Sequence, residues 1–267
     1  MAKAEGFKKW NFDHCIGAID GKHIAIYCPE DAGSFYFNYK GTHSIVLMAV
    51  VDANYEFVYV DVGCNGRVSD GGVWSRCSLN TLLEQGQANL PDDAVLPGSK
   101  SGKKVPFMFV GDDAFPLKRY LMKPFPFRDQ TEQQRIYSYL VSRARRVSEN
   151  AFGILCAKWG VFRSRIHLPP KTVEKLVLAC TAMHNKFIRE QSDLYNSHGT
   201  TDREDITEER IIRGSWRDHA SEALPLQRTP RNAPREAKDV REELTRYFND
   251  EGAVPWQRFM SGLAPLE

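Results

Sequence analysis

Residues Gly17–Ile26 read G-A-I-D-G-K-H-I-A-I, an apolar run broken by the carboxylate of Asp20. The stretch 16–28 is rich in Ile and Ala and reads as a first β-strand, with Asp20 closing its apolar start. A carboxylate at the end of a buried strand is costly unless it is hydrogen-bonded or coordinates a cation. A second one, Asp112, ends the run F-M-F-V-G-D that starts at Phe107, a short and wholly apolar strand. A third, Glu149, lies in R-A-R-R-V-S-E-N-A-F-G (143–153), which has helical spacing. Two strand-end Asp residues and a helical Glu form an oxygen cage of the kind Mg²⁺ or Mn²⁺ prefers. Such a cage points to phosphoryl-transfer chemistry on nucleic acid.

The segments between these residues set the fold. Ser44–Asp52, S-I-V-L-M-A-V-V-D, reads as a strand buried on both faces, and Glu56–Val62 alternates with period two as its hairpin partner. A glycine-rich loop, C-N-G-R-V-S-D-G-G from Cys64, leads into a helix predicted over Val73–Leu83. The stretch 85–106 is polar and reads as a long surface loop, and Pro116, Pro124 and Pro126 keep the next segment irregular apart from a turn around Leu117–Met122. Thr131–Trp159 is the longest helical signal, and Pro170–Arg189 the next. At about 100° per residue, Ile136, Leu140, Ala144, Val147, Ala151, Phe152, Leu155 and Trp159 share an arc of about 160°, with Glu149 roughly 60° beyond its edge. Glu149 therefore borders the buried face, as a side chain must if it is to reach a cleft from a helix.

Charge, Pro and Asn dominate Ser192–Arg235, which predicts an irregular or partly disordered segment before a short amphipathic helix over Ala237–Phe248. The expected division is a catalytic domain over 1–190 and a charged C-terminal extension over 191–267. Three strands, a helix, a fourth strand and further helices match an α/β fold of the RNase H-like type, a mixed central sheet flanked by helices. First and fourth strands are neighbours at the centre of such a sheet, which would bring Asp20 and Asp112 together.

With 36 Lys and Arg against 34 Asp and Glu, the 267-residue chain carries a net charge of only +2, so the total is silent on polyanions. Local charge is more telling: between Arg128 and Arg165 eight basic residues face three acidic ones, a surplus of +5 around Glu149. The competing reading pairs Arg145 and Arg146 with Glu149 one turn away on a solvated face. Six cysteines without a C-x-x-C pair read mostly as small core residues of a reducing compartment. No apolar run approaches the ~20 residues of a membrane span, so a soluble, intracellular protein is expected.

Taken together, four blocks resemble the PIF/Harbinger-type family of DDE transposases and the Harbinger transposase-derived nucleases. They are W-N-F-D-H-C-I-G-A-I-D-G-K-H-I (Trp10–Ile24), V-S-D-G-G-V-W (Val68–Trp74), V-G-D-D-A-F-P-L (Val110–Leu117) and R-V-S-E-N-A-F-G (Arg146–Gly153), in the family's order. The close A-K-D-V-R-E-E-L-T-R-Y-F-N-D-E-G-A-V-P-W-Q also looks like the tail of animal members. The resemblance implies an acidic triad at Asp20, Asp112 and Glu149. Asp113 competes with Asp112, but neighbouring strand residues point to opposite sides, and the family pattern takes the Asp directly after Gly111. It also implies DNA as substrate, a nuclear protein, and a separate Myb-like partner, with homo-oligomers common among transposases. Two divalent ions, Mg²⁺ or Mn²⁺, would relieve the repulsion of three close carboxylates: Asp20 bridging both, Asp112 holding one and Glu149 the other. Only about nineteen residues precede Asp20, fewer than a helix-turn-helix region needs, which suggests a catalytic domain alone.

Around the triad, Lys22, His23, Arg143, Arg145 and Arg146 are the candidate phosphate contacts, with Lys40, His43, Arg67, Lys118 and Arg119 candidates for a longer DNA path. Asp70 reads as a helix N-cap rather than an auxiliary ligand, and His184, Trp74 and Trp159 read as core. Hydrolysis would nick a strand and leave a 3′-OH, which a full transposase would use in strand transfer. The alternative is a domesticated, catalytically inactive DNA- or protein-binding protein, although retired enzymes commonly lose a ligand and here all three carboxylates stand. A paired-carboxylate glycosidase leaves the basic helix and the strand-end pair without a purpose.

Overall fold

The computed structural model describes residues 2–68, 70–208, 210–218, 224–225 and 233–264. A short helix α1 (Ala2–Phe7) leads into three long strands, β1 (Cys15–Ala25), β2 (Ser44–Val51) and β3 (Phe57–Asn65). Helices α2 (Asp70–Arg76) and α3 (Ser78–Glu84) follow, then the two-residue pair β4 (Ala94–Val95) and β5 (Lys104–Val105), and strands β6 (Met108–Val110) and β7 (Leu121–Met122). Beyond them lie α4 (Glu132–Lys158), α5 (Pro170–Glu190), α6 (Ser192–Tyr195), β8 (Arg203–Asp205), β9 (Arg210–Ile212), β10 (Leu224–Pro225), α7 (Arg235–Phe248) and α8 (Gln257–Met260).

The central sheet has the order β3-β2-β1-β6-β7, with β10 also pairing β1. β1, β2 and β3 form an antiparallel meander, whereas β6 and β7 run parallel to β1. Helices cover both faces. On one, Ala18, Ile24, Leu47 and Ala49 pack with Leu140, Ala144, Val147 and Ala151 of α4; on the other, Ile19, Val46, Met48 and Val50 pack with Val73, Trp74 and Phe115. This is why β2 is an unbroken apolar run: it is buried on both sides. The arrangement is the RNase H-like, mixed-sheet α/β class.

Thr131 caps α4 in a capping box with Gln134, and Pro170 opens α5 at a position where its missing N–H is harmless. The predicted helix over Val73–Leu83 is in fact two. Cys77 is extended between α2 and α3, where the Tyr59 hydroxyl meets the Cys77 Sγ (3.1 Å) and Ser78 Oγ (2.7 Å) and accepts the Leu79 N–H (3.3 Å). A tertiary hydroxyl thus does what a local cap would do, and spacing alone could not reveal it.

The C-terminal stretch departs furthest from expectation. Among its described residues, 192–218 is ordered, with α6, the β8–β9 hairpin and a one-turn helix at 215–218, and Asp202 is almost fully buried. Asn150 holds this segment to α4, donating to the Asp202 carbonyl (3.1 Å) while its Oδ1 accepts the Asp202 N–H (2.9 Å) and the Trp216 indole N–H (3.1 Å). The Trp216 ring lies over Gly153, where a Cβ would sit 2.2 Å from it, so only glycine fits. Helix α7 buries Val240, Leu244, Tyr247 and Phe248, as the amphipathic pattern predicted, and Phe248 stacks edge-on against Phe12 at 4.9 Å. Among the described residues beyond 191, Ala237, Val240, Leu244, Tyr247, Phe248 and Leu263 therefore belong to the same core.

Candidate active site

Asp20 is the sixth residue of the eleven in β1, so it lies mid-strand and not at a strand end. Asp112 does lie past its strand. The parallel register pairs Ala18 with Val110, and each Asp stands two residues further on. A period of two puts Asp20 on the α4 face with Ala18, and Asp112 lies close enough to feel its charge. The gap arises because β6 stops at Val110 while β1 continues to Ala25, and β10 rejoins β1 only at Lys22 and His23. Asp113 is one residue out of that register, and its carbonyl accepts from Lys123 Nζ (3.1 Å).

Asp20 is 4 % exposed. Its Oδ1 accepts the Gly21 N–H (2.8 Å), while Oδ2 is buried without a hydrogen bond, with Lys22 Nζ 3.6 Å away. Lys22 Nζ in turn lies 5.7 Å from the centre of the Phe152 ring on α4. Asp112 accepts the Ala114 N–H (2.9 Å). Burial and the neighbouring Asp20 charge push its carboxyl above the usual carboxylate range, with Arg145 opposing them.

Glu149 faces the same cleft from α4, but the structure does not close it onto the two Asp residues. Its Oε1 accepts from the Arg145 guanidinium at 2.5 Å, and Arg217 stands 3.9 Å from Oε2. Among the described residues no three His, Cys, Asp or Glu side chains are close enough to share one metal ion. Burial works against the Arg145 charge, but Glu149, Asp20 and Asp112 outweigh it and hold its pKa above the ordinary value. The sequence-level alternative was partly right: the i,i+4 pair forms, although on a half-buried face that looks onto the Asp pair and not on a solvated one.

Three of the proposed phosphate contacts are internal. His23 is 2 % exposed, bonds Ser44 Oγ through Nδ1 (2.8 Å) and is pushed down to about 4 by burial, so it is neutral at physiological pH. Arg143 and Arg146 are buried because both meet the Glu204 carboxylate, at 3.2 and 2.9 Å. Buried guanidinium groups need a partner, and β8 supplies one that lies 58 residues from Arg146. Lys22 and Arg145 are the two that the fold leaves at the Asp pair. Of the wider path, Lys118 pairs with Glu84 (2.7 Å) and Arg119 with Asp93 and Glu236, while Lys40 lies over Tyr39 and Arg67 donates to Ser34. The Asp70 side chain lies outside the described residues. His184 is a core histidine, bonded to Tyr195 OH and the Tyr55 carbonyl and pushed down to about 4 by burial.

Arg217 and Asp202 are the site residues that sequence reasoning missed. They pair at 2.5 Å beside Glu149, in a segment predicted to be irregular. The one local signal was the i,i+3 pair Asn150 and Gly153, a polar group and a missing side chain on one helix face, which together make a seat for another segment.

The RNase H-like sheet thus carries one Asp on β1 and another just beyond β6, each two residues past the Ala18–Val110 pair. The chain matches the DDE superfamily endonuclease family model over residues 19–185, and belongs to that family. It is similar to "Putative nuclease HARBI1" of Mus musculus, 26 % identical over 185 residues (68 % of this chain, 48 % of the relative), and of Homo sapiens, 26 % over 197 residues (73 % and 52 %). It is also similar to "Protein ALP1-like" of Arabidopsis thaliana, 26 % identical over 178 residues (66 % and 43 %). The chain thus spans about half the length of these relatives. No solved structure matches it. The resemblance to PIF/Harbinger-type transposases holds at the level of the family. Among the described residues no helix is long and apolar enough to cross a membrane.

Proposed function

We propose that the chain is a metal-dependent DNA endonuclease whose reacting carboxylates are Asp20, Asp112 and Glu149. One observation carries this reading: Asp20 and Asp112 in parallel register, with Asp20 Oδ2 buried and lacking any hydrogen bond. An orphaned carboxylate oxygen beside a second carboxylate fits a hard cation, since the donor set is all oxygen, and DDE endonucleases generally use divalent ions. Two ions, Mg²⁺ or Mn²⁺, would when bound acidify the attacking water and stabilise the leaving 3′ oxygen. Asp20 would hold both, Asp112 and Glu149 one each.

The chain's own groups do the rest. Asp112, held above the usual carboxylate range, has to be deprotonated to act as a ligand. Lys22, with its ammonium over the Phe152 ring and 3.6 Å from Asp20 Oδ2, is positioned to meet a phosphate oxygen, and Arg145 offers a second cation. Both bear on the scissile phosphate and not on the bases, so sequence choice falls to other surfaces or to a separate Myb-like DNA-binding partner. Nuclear residence, action as a homo-oligomer and strand transfer by the released 3′-OH extend the same reading.

The test is nicking of supercoiled plasmid with Mn²⁺, Mg²⁺ or EDTA, alongside Asp112→Asn and Glu149→Gln proteins. Metal-dependent nicking that falls at least 10²-fold in both variants is expected. A second reading, an inactive DNA- or protein-binding protein, draws support from Glu149 being paired with Arg145 and not joined to the Asp pair. Well-folded wild type that never nicks, alone or with its partner, would favour it.

A further inference from the structure

We propose that Arg145 is the resident counter-ion of the carboxylate cluster, and that a divalent cation loads by displacing its guanidinium and releasing Glu149. The inference rests on the metal reading above. Arg145 donates to Glu149 at 2.5 Å, and its charge also interacts with Asp20 and Asp112. Three carboxylates in one cleft repel one another, and without metal a positive charge has to stand among them. Lys22 supplies one at Asp20, and Arg145 supplies one at Glu149.

Comparison with its helix neighbours shows why this pair is built to open. Arg143 and Arg146 meet Glu204, whose side chain is 4 % exposed, so leaving it would strand a buried charge. Arg145 and Glu149 are 20 % and 29 % exposed, and Arg217 stands 3.9 Å from the far oxygen of Glu149. Breaking the pair therefore lets the guanidinium swing into water, and an incoming ion of charge +2 replaces +1 among three carboxylates. The Asp20 Oδ2, with no hydrogen bond, is the oxygen first available to the incoming ion.

The test measures Mn²⁺ affinity of the full chain by calorimetry and by electron paramagnetic resonance of free Mn²⁺, for wild type, Arg145→Gln, Arg145→Lys and Asp112→Asn. Arg145→Gln is expected to bind Mn²⁺ about tenfold more tightly, the ratio that one charge-assisted hydrogen bond in a half-buried pair contributes. It should also melt lower than wild type in EDTA and regain the difference in saturating Mn²⁺. Arg145→Lys keeps the charge and should bind Mn²⁺ much as wild type does. A second measurement needs no destabilised variant: the wild-type Arg145 Nε–Hε resonance, assigned by its loss in Arg145→Lys, should shift and exchange faster with water as Mg²⁺ is added. Unchanged or weaker Mn²⁺ binding by Arg145→Gln, or an Nε–Hε signal indifferent to saturating Mg²⁺, would overturn the counter-ion role. In either case loss of binding in Asp112→Asn would leave the metal reading standing; if Asp112→Asn binds Mn²⁺ like wild type, the metal reading itself falls.

Discussion

Helix α4 carries two groups of buried charge that are built in opposite ways. Around Glu204, one carboxylate serves Arg143 and Arg146 and also accepts from Tyr139 OH (3.0 Å). That carboxylate is saturated, with both oxygens engaged, and its role is to fasten β8 to the helix. Around Asp20, Lys22 stands beside an oxygen that has no hydrogen bond at all, and Arg145 pairs with Glu149 while its charge also interacts with Asp20 and Asp112. The contrast separates scaffold from site. A buried carboxylate that only holds the fold together has both oxygens engaged, whereas an excess of negative charge with an unpartnered carboxylate oxygen leaves room for a ligand.

The largest expected effect attacks the saturated side. Glu204→Ala leaves two buried guanidinium groups without their carboxylate and should lower unfolding free energy by about 3–5 kcal/mol, read from urea denaturation. A loss under about 1 kcal/mol would mean the two groups do not differ as described. Acidification is next. His23 and His184 are each pushed down to about 4 from an ordinary 6.5, so between those values the folded state binds fewer protons than the unfolded one. Stability is therefore complete above pH 6.5 and is lost as pH falls towards 4, by roughly 3 kcal/mol per histidine. Melting temperature across that window checks it, and His184→Gln should remove about half of the slope.

Gly153→Ala drives a Cβ into the Trp216 ring and should cost about 1–3 kcal/mol, with the 200–218 segment losing amide protection first in hydrogen exchange. Uniform protection there would separate the seat from the segment it holds. The smallest effect has the opposite sign. Asp112→Asn removes a charge that burial and Asp20 disfavour, so the metal-free protein at pH 7 should gain up to about 1 kcal/mol. Because the folded pKa is raised, that gain belongs to pH values above the unfolded carboxyl value and fades as both forms protonate below about 4. A destabilised Asp112→Asn protein would place Asp112 with the saturated charges.

Much of this was legible in the chain. The meander of β1–β3, the short apolar β6 and the long α4 follow from runs and periods that any local window contains. The order of these elements is enough to make β1 and β6 neighbours and to bring Asp20 and Asp112 together. Local pattern could also show that Glu149 borders the buried stripe of α4. It could not show that Arg143 and Arg146 turn away to Glu204, nor that 200–218 folds onto Asn150 and Gly153, because those partners are more than 45 residues distant and only docking creates them. Nor could it tell whether Arg145 or Arg146 meets Glu149, since i,i+3 and i,i+4 neighbours are equally close on a helix. Periodicity encodes which face is buried. The partner of each buried charge is a property of the assembled fold, where desolvation makes pairing obligatory and distance along the chain no longer counts.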